Sequence, residues 1–361
     1  MNDAAKTSRR TTASGRSGAG IDIGKMLLEG RAFFALIAIV ALFSILSPNY
    51  FTLDNFLTMA SHVAIYGILA IGMLLVIING GIDLSVGSTL GLSGVVAGFL
   101  MQGVTLKLAG VVLYPAVWVV VVICCALGAF IGLVNGVLIA RFRVPAFVAT
   151  LGVMYVVRGF ALLMTNGLTY NDLGGRADLG NTGFNWLGFN RLAGIPVGVV
   201  IMAVIALACG TLLSRSAFGR WLYASGGNER AAELSGVPVK KVQISVYVLS
   251  GVCAAIAGLI LSSQLTSAGP TAGTTYELTA IAAVVIGGAR LTGGTGTIRG
   301  TLLGAFVIGF LSDGLVIIGI SSYWQTVFTG AVIVLAVLLN AIQYRRRVRR
   351  RAPAGGQPTS A

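Results

Sequence analysis

The chain has 361 residues, of which 56% are apolar and only 10% are charged. Soluble domains carry about 25% charged residues, so this composition excludes an ordinary soluble protein and indicates a chain whose main solvent is lipid. The net charge of +14 does not indicate a nucleic-acid partner, because the basic residues cluster beside apolar segments, where they act as topology signals and contact membrane lipid headgroups.

The apolar residues fall into ten segments, which predict an all-α polytopic membrane protein with about ten transmembrane helices. The predicted spans are 32–47, 56–79, 86–103, 112–140, 146–166, 195–214, 241–263, 277–289, 300–319 and 324–343. The second span contains Ser61, His62 and Gly67 and the eighth is short, so both are candidates for broken helices. The flanking segments 1–31 and 344–361 are basic and are predicted to be disordered, outside a transmembrane domain of residues 32–343.

The distribution of Lys and Arg predicts the orientation of these spans. With a cytosolic N-terminus and ten spans, 21 of the 25 basic residues lie in cytosolic segments and three lie outside. Cytoplasmic loops of membrane proteins are enriched in Lys and Arg, so this split predicts that both termini are cytosolic. The longest cytosolic loop is then 215–240, and the longest outer loop is 167–194.

The stretch NGGIDLSVGS, residues 79–88, places a carboxylate among glycines between the second and third spans. Glycine permits backbone conformations that a helix does not, and irregular backbone at membrane depth must be buried in protein or reached by water. Asp83 and Ser85 are predicted to cap the helix that starts near residue 86. The alternative, which is compatible with capping, is a broken helix that lines a polar translocation route.

The stretch SGGNERAAELSGVPVKK, residues 225–241, predicts a short cytosolic helix. Asn228 is predicted to be its N-cap, and Ser235–Gly236 ends it before a proline. A helix of about two turns is not stable alone, so it must dock on something. It is either an ordinary connector or a docking element whose small residues, Ala231 and Ala232, fit into a cleft of a partner and pass its movement into the membrane.

Other polar stretches predict no catalytic chemistry. Residues 287–301, GGARLTGGTGTIRGT, resemble a phosphate-binding loop but have Gly294 where that loop needs lysine, so a tight cytosolic loop is expected instead. The sequence contains no metal-ligand spacing and no catalytic triad pattern, so no metal site, no catalytic residue and no cofactor bound by this chain is predicted. The four cysteines are predicted to be packing residues, and His62 is expected to bond a neighbouring carbonyl. In-span polar residues such as Asn79 and Asn135 are mostly amides and hydroxyls, which favours a neutral polyhydroxy solute over a proton pump.

Two segments resemble each other within the chain. GAFIGLVNGVL, residues 128–138, is similar to GAFVIGFLSDGL, residues 304–315, and the two lie in spans that cross the membrane in opposite senses. This echo is compatible with an inverted five-plus-five repeat, which places a substrate route between the halves. Alternatively, it reflects only the shared glycine-rich composition of membrane helices.

Three stretches, in this order, resemble the permease subunits of sugar ABC importers of the ribose/xylose/galactoside type: GGIDLSVGS (80–88), GGNERAAELSGVPV (226–239) and the segment 270–305. The resemblance runs from about residue 30 to 343. It implies a homo- or heterodimeric permease in the bacterial inner membrane that works with cytosolic ABC ATPase subunits, which bind ATP and Mg²⁺. It also implies a periplasmic or lipid-anchored sugar-binding protein that delivers the solute.

The resemblance also assigns roles to residues. The ATPase-coupling helix would use Gly226, Gly227, Asn228, Glu229, Ala231, Ala232, Ser235 and Gly236. The substrate path or gate would use Gly80, Gly81, Asp83, Ser85 and Gly87, to which we add the amides Asn79 and Asn135. The predicted function is therefore import of a monosaccharide or related polyol with energy from the ATPase. The alternatives are a secondary transporter or channel that works without an ATPase, and a related permease for amino acids or another small polar solute.

Overall fold

The computed structural model of the chain describes residues 31–106, 111–321, 323–332, 334, 335 and 338. The predicted disordered segments, 1–31 and 344–361, lie outside these residues except for Arg31, which is helical. The tenth predicted span, 324–343, is described only in part, and its described residues are helical.

The described chain is mostly helical. Its helices are α1 (Arg31–Leu46), α2 (Leu53–Ile78), α3 (Val86–Met101), α4 (Val117–Ala140), α5 (Ala146–Thr165), α6 (Trp186–Phe189), α7 (Val197–Arg215), α8 (Ala217–Gly227), α9 (Glu229–Leu234), α10 (Val239–Leu265), α11 (Tyr276–Ile286) and α12 (Ile298–Ile317). Short strands in the connections form three antiparallel pairs: β1 (Val104–Leu106) with β2 (Val111–Leu113), β3 (Tyr170–Asn171) with β6 (Ser267–Ala268), and β4 (Arg191–Leu192) with β5 (Ile195–Pro196).

Six helices in the described ranges, α2, α4, α5, α7, α10 and α12, are long and apolar enough to cross a membrane. The helices α1, α3 and α11 are apolar but shorter. The length and composition of these helices therefore agree with an all-α, multi-pass membrane protein. The eighth predicted span is indeed short, because α11 has only 11 residues.

The prediction of a break in the second span is wrong. Helix α2 is continuous over 26 residues and runs through Ser61, His62 and Gly67. Gly67 instead allows a close approach, because a Cβ atom at this position would collide with the side chain of Met202 in α7. Small residues serve this purpose between membrane helices, where lipid gives little hydrophobic driving force for association.

The core of the protein is formed around α2 and α10, which pack against each other. Helix α10 also packs against α3 and α4, and α2 also packs against α7, α11 and α12. Gly128, Gly132 and Gly136 bring one face of α4 directly onto the backbone of α10. The buried faces of α2 and α10 thus hold the shorter helices α3 and α11 in the interior.

The short helices begin deep inside the molecule. Asp83, just before α3, contacts Ser250 of α10, which lies about 16 Å along that helix from its first residue at a rise of about 1.5 Å per residue. At its other end, α10 leads through the segment 266–275 into α11, and a Cβ atom at Gly87 would collide with Gly273 and Glu277. The N-termini of α3 and α11 therefore lie beside each other, although their chains arrive from opposite ends of α10.

Candidate functional site

The break between α2 and α3 is organised by one buried carboxylate. Asp83 is only 1% exposed. Its Oδ1 atom accepts hydrogen bonds from the Ser85 backbone N–H at 3.0 Å and the Ser85 hydroxyl at 2.6 Å, and its Oδ2 atom accepts one from the Ser250 hydroxyl at 2.9 Å. Asp83 therefore ties the irregular backbone of the break to the middle of α10.

The predicted capping role of Ser85 is wrong. Ser85 immediately precedes α3, but its side chain accepts no hydrogen bond from a backbone N–H of that helix. Its hydroxyl instead donates to Asp83 and accepts a bond of 2.8 Å from the Asn135 amide of α4. The carboxylate is the stronger acceptor, so it takes the hydroxyl proton that orients Ser85. Asp83 correspondingly satisfies the N–H of Ser85 and not one of the free N–H groups inside α3.

Asn135 joins the same cluster from the fourth predicted span. It is fully buried, and its Nδ2 atom bonds Ser85 whereas its Oδ1 atom has no hydrogen-bond partner in the described ranges. Of the predicted path residues, Asp83, Ser85 and Asn135 are thus brought into one hydrogen-bonded network that joins the break to α4 and α10.

Two ionisable residues that the sequence left unassigned lie next to the break. Arg158 of α5 donates hydrogen bonds to the backbone carbonyls of Pro270 and Ala272, at 2.5 and 2.8 Å. Glu277 lies in the first turn of α11 and touches Gly87. An acid in a first turn interacts favourably with the positive end of the helix. These two residues fix the segment that enters α11, the second irregular segment at this depth.

The predicted short helix is present as α9. The side chain of Asn228 accepts a hydrogen bond from the Ala231 N–H at 3.0 Å, as an N-cap does, and Ser235 is the C-cap. Gly236 then takes φ = +82°, a conformation that glycine adopts without strain. The sequence did not predict the preceding helix α8, which is capped by Ser216.

The predicted coupling residues divide into an exposed and a covered group. The exposed residues are Gly227, Asn228, Glu229, Ala231, Ser235 and Gly236. Ala232 is only 5% exposed, and Gly226 is half-buried against other parts of the chain. Gly226 of α8 and Ala232 of α9 therefore pack against the rest of the chain, and of the predicted coupling residues only the six exposed ones are available to a partner. Sequence reasoning missed Leu234, which ends α9 with 78% of its surface exposed and is the only large apolar residue in that six-residue helix.

Ser225 and Gly226 of α8, Ile78 and Asn79 at the end of α2, and Gly294 form a set of contacts that we call the glycine joint. A Cβ atom at Gly226 would collide with the Ile78 carbonyl oxygen, which accepts a hydrogen bond of 2.8 Å from the Gly294 N–H. The hydroxyl of Ser225 donates to Oδ1 of Asn79 at 3.1 Å. The loop between α11 and α12 therefore packs against the C-terminal end of α2 and is hydrogen-bonded to it, in agreement with the prediction of a tight loop at this place.

The prediction for His62 is wrong. Its Nδ1 atom lies 3.2 Å from Oδ1 of Asp313 in α12, so its partner is a carboxylate and not a backbone carbonyl. The two residues are separated by 251 positions in the chain. The sequence pattern within α2 alone gave no signal for this pair.

Residues 55–337 match a family model described as "Branched-chain amino acid transport system / permease component". The ribose import permease protein RbsC of Escherichia coli (strain K12) is 45% identical over 315 residues, which are 87% of this chain and 94% of that protein. RbsC of Bacillus subtilis (strain 168) is 44% identical, over 85% of this chain and 91% of that protein. The galactose/methyl galactoside import permease protein MglC of Escherichia coli (strain K12) is 35% identical, over 89% and 96%. No solved structure matches the chain.

These similarities confirm the resemblance to sugar import permeases that the three motifs indicated. They extend over nearly all of the described helices, including the break, the glycine joint and α9. The chain therefore belongs to this family of transport-system permease components, which are membrane transport subunits and not enzymes.

Proposed function

We propose that this chain is the membrane-spanning subunit of an ATP-binding-cassette importer that moves a monosaccharide or related polyol into the cytoplasm. The relatives named above import ribose or galactosides and are similar over most of their length. The observation that carries the energy-coupling part is α9, a short capped helix that is exposed on one side and connected through α8 and the glycine joint to the helix break.

The exposed side of α9 is the proposed ATPase contact. A six-residue helix gains little stability from its own hydrogen bonds, so its caps and its packing through Ala232 must hold it in place. This leaves Ala231, Ser235 and Leu234 free for a partner. Leu234, at the end of α9, adds an exposed apolar side chain that a partner would bury. ATP and Mg²⁺ would be bound by that partner and not by this chain.

The connection to the gate is short. Ser225 and Gly226, at the end of α8, contact Asn79 and Ile78, at the end of α2. Movement of α8 and α9 would therefore act on the first residues of the break without a flexible linker between them. The proposed gate comprises the remaining residues of the break and its neighbour in α4, namely Gly80, Gly81, Asp83, Ser85, Gly87 and Asn135.

The proposed substrate is a sugar and not an amino acid. The family description names branched-chain amino acids, whereas the relatives quoted above carry the names of sugar permeases. At the centre of the break, the hydroxyl and amide groups of Ser85, Ser250 and Asn135 surround Asp83, whose carboxylate already accepts three hydrogen bonds. Such groups suit the hydroxyls of a neutral solute, and the hydrogen-bonding capacity of the Asp83 carboxylate is already used within the chain.

The proposed assembly has ten spans, cytosolic termini, and an inverted repeat within each chain. The packing supports the repeat, since α2 of the first half contacts α11 and α12 of the second, as α10 of the second half contacts α3 and α4 of the first. An inverted repeat exchanges these two sets of contacts. We further propose a permease dimer in the inner membrane, a sugar-binding protein on its outer side, and contact of the basic terminal segments with anionic lipid.

Reconstituted transport tests the proposal. The purified chain, in proteoliposomes with or without its ATPase and binding protein, is assayed with radiolabelled D-ribose, D-galactose and L-leucine. Sugar uptake that requires the ATPase and ATP supports the proposal. Sugar uptake without the ATPase, driven by an ion gradient, would establish the secondary-transporter alternative, and ATP-driven uptake of leucine alone would refute the sugar assignment.

A further inference from the structure

A cavity of about 450 Å³ lies between the proposed coupling helix and the helix break. Helix α9 lines it with Glu229 and Glu233, and the break lines it with Asn79, Gly80 and Gly81. The remaining walls are the connection between α4 and α5 and the first turns of α10. Ligand sites in proteins typically have volumes of about 300–1,000 Å³, so the cavity is large enough to be one.

The lining has the chemistry of a site for neutral, hydroxyl-rich molecules. The carboxylates of Glu229 and Glu233 are balanced by the charges of Arg143 and Lys240, so neither an anion nor a cation gains from the net charge. None of these four forms an ion pair with another described residue. Gln243 adds an amide, which donates to Glu229 at 3.3 Å. Both strong acceptors and strong donors are therefore available to sugar hydroxyls.

A buried hydroxyl lies at the wall of this cavity, beside Gly81. Tyr247 of α10 is 0% exposed, and its hydroxyl has no hydrogen-bond partner among the described residues. It faces Gly81, since a Cβ atom there would collide with this oxygen, and both residues line the cavity. Buried polar groups in proteins nearly always have a hydrogen-bond partner, and one that lacks a partner in the chain needs an explanation.

We propose that this cavity, the exit cavity, binds a monosaccharide at the cytosolic end of the route, with the Tyr247 hydroxyl as one of its hydrogen-bond partners. The inference rests on the proposed function and adds a site to it. Because Glu229 and Glu233 belong to α9 and Gly80 and Gly81 to the break, one movement of α9 changes both the contact with the ATPase and the shape of this site. Release of sugar into the cytosol is thereby connected to the state of the ATPase.

Thiol protection tests the site with a matched pair of variants of the full chain. Lys240 lines the cavity, whereas its neighbour Lys241 does not, and both are exposed. Lys240→Cys and Lys241→Cys are labelled in inside-out membrane vesicles with a membrane-impermeant maleimide. At about 10 mM, D-ribose or D-galactose is expected to slow the labelling of Lys240→Cys about threefold, as a site with a Kd in the millimolar range requires, and to leave Lys241→Cys unchanged.

Tyr247→Phe in the Lys240→Cys background provides the second measurement. The protein should retain its thermal stability, because the hydroxyl makes no bond to the described chain. The Kd for sugar, measured from the protection of the thiol, should rise about threefold or more. Equal labelling with and without sugar, or protection by L-leucine in place of sugar, would overturn the inference. ATP-driven sugar uptake by Lys241→Cys is measured in parallel, so that a failed site is distinguished from a failed transport function.

Discussion

Replacement of Gly226 by alanine tests the connection between α8 and the helix break. A Cβ atom at Gly226 would collide with the backbone carbonyl of Ile78 and lie 2.9 Å from the backbone nitrogen of Gly294. Both are backbone atoms, so neither can rotate aside as a side chain could. The neighbouring residue, Gly227, provides a matched control in the same helix, because a Cβ atom there has no neighbour within 4 Å.

The expected magnitude follows from these contacts. Inserting a methyl group into a packed site costs about 1–3 kcal/mol. If Gly294 moves away, its hydrogen bond of 2.8 Å to Ile78 is also lost, at a further cost of about 0.5–1.5 kcal/mol. Alanine regains at most about 1 kcal/mol over glycine within a helix. Gly226→Ala should therefore destabilise the joint by about 1–3 kcal/mol, whereas Gly227→Ala should be neutral or slightly stabilising.

Two measurements separate coupling from folding. The ATPase should bind Gly226→Ala normally, because the exposed side of α9 is unchanged, but ATP-driven sugar uptake should fall about tenfold, as about 1.4 kcal/mol corresponds to. Gly227→Ala should retain both ATPase binding and uptake. Equal uptake by the two variants would show that the joint does not transmit movement, and the mechanism argued from it would be wrong.

The other predictions concern the carboxylate of the break and the surface of α9. Asp83→Ala leaves three hydrogen-bond donors without an acceptor and should destabilise the protein by about 3 kcal/mol or more in a thermal unfolding assay. Ser250→Ala removes only one of these bonds and should cost about 1–2 kcal/mol. Equal losses of stability in the two variants would contradict the network. Asn228→Ala removes a helix cap worth about 1 kcal/mol, so backbone hydrogen exchange in α9 should become faster, and Asn228→Ser should restore the protection. Leu234→Ala should weaken ATPase binding about tenfold in a titration without lowering thermal stability, and unchanged affinity would remove this residue from the interface.

Local rules were sufficient to predict α9 and the existence of the break. The cap, the first turn and the terminating glycine of α9 lie within nine residues of one another, from Asn228 to Gly236, so their chemistry is visible in the sequence. The break is equally local, since glycines and a carboxylate between two apolar runs cannot continue a membrane helix. The low fraction of charged residues and the long apolar segments likewise sufficed for a multi-pass, all-α protein.

The partners of these elements could not be predicted in the same way. Asp83 bonds Ser250, 167 residues away, and His62 bonds Asp313, 251 residues away. Nothing near Asp83 in the sequence distinguishes a carboxylate that caps the next helix from one that holds a serine of a distant helix. The covered positions of Gly226 and Ala232 were also missed, because a small residue in an exposed loop and a small residue in a joint have the same local pattern.

The proposed gate brings the N-termini of α3 and α11 beside each other. Both helices begin at the same depth, and Gly87 lets their N-termini approach each other. Helix N-termini carry partial positive charge, and two of them side by side repel unless acidic groups are near. Asp83 lies before one and Glu277 in the first turn of the other, so each end has its own carboxylate. The long helices α2 and α10 enclose the short helices, and in the proposed cycle a movement of α8 would reach the backbone between them through Asn79.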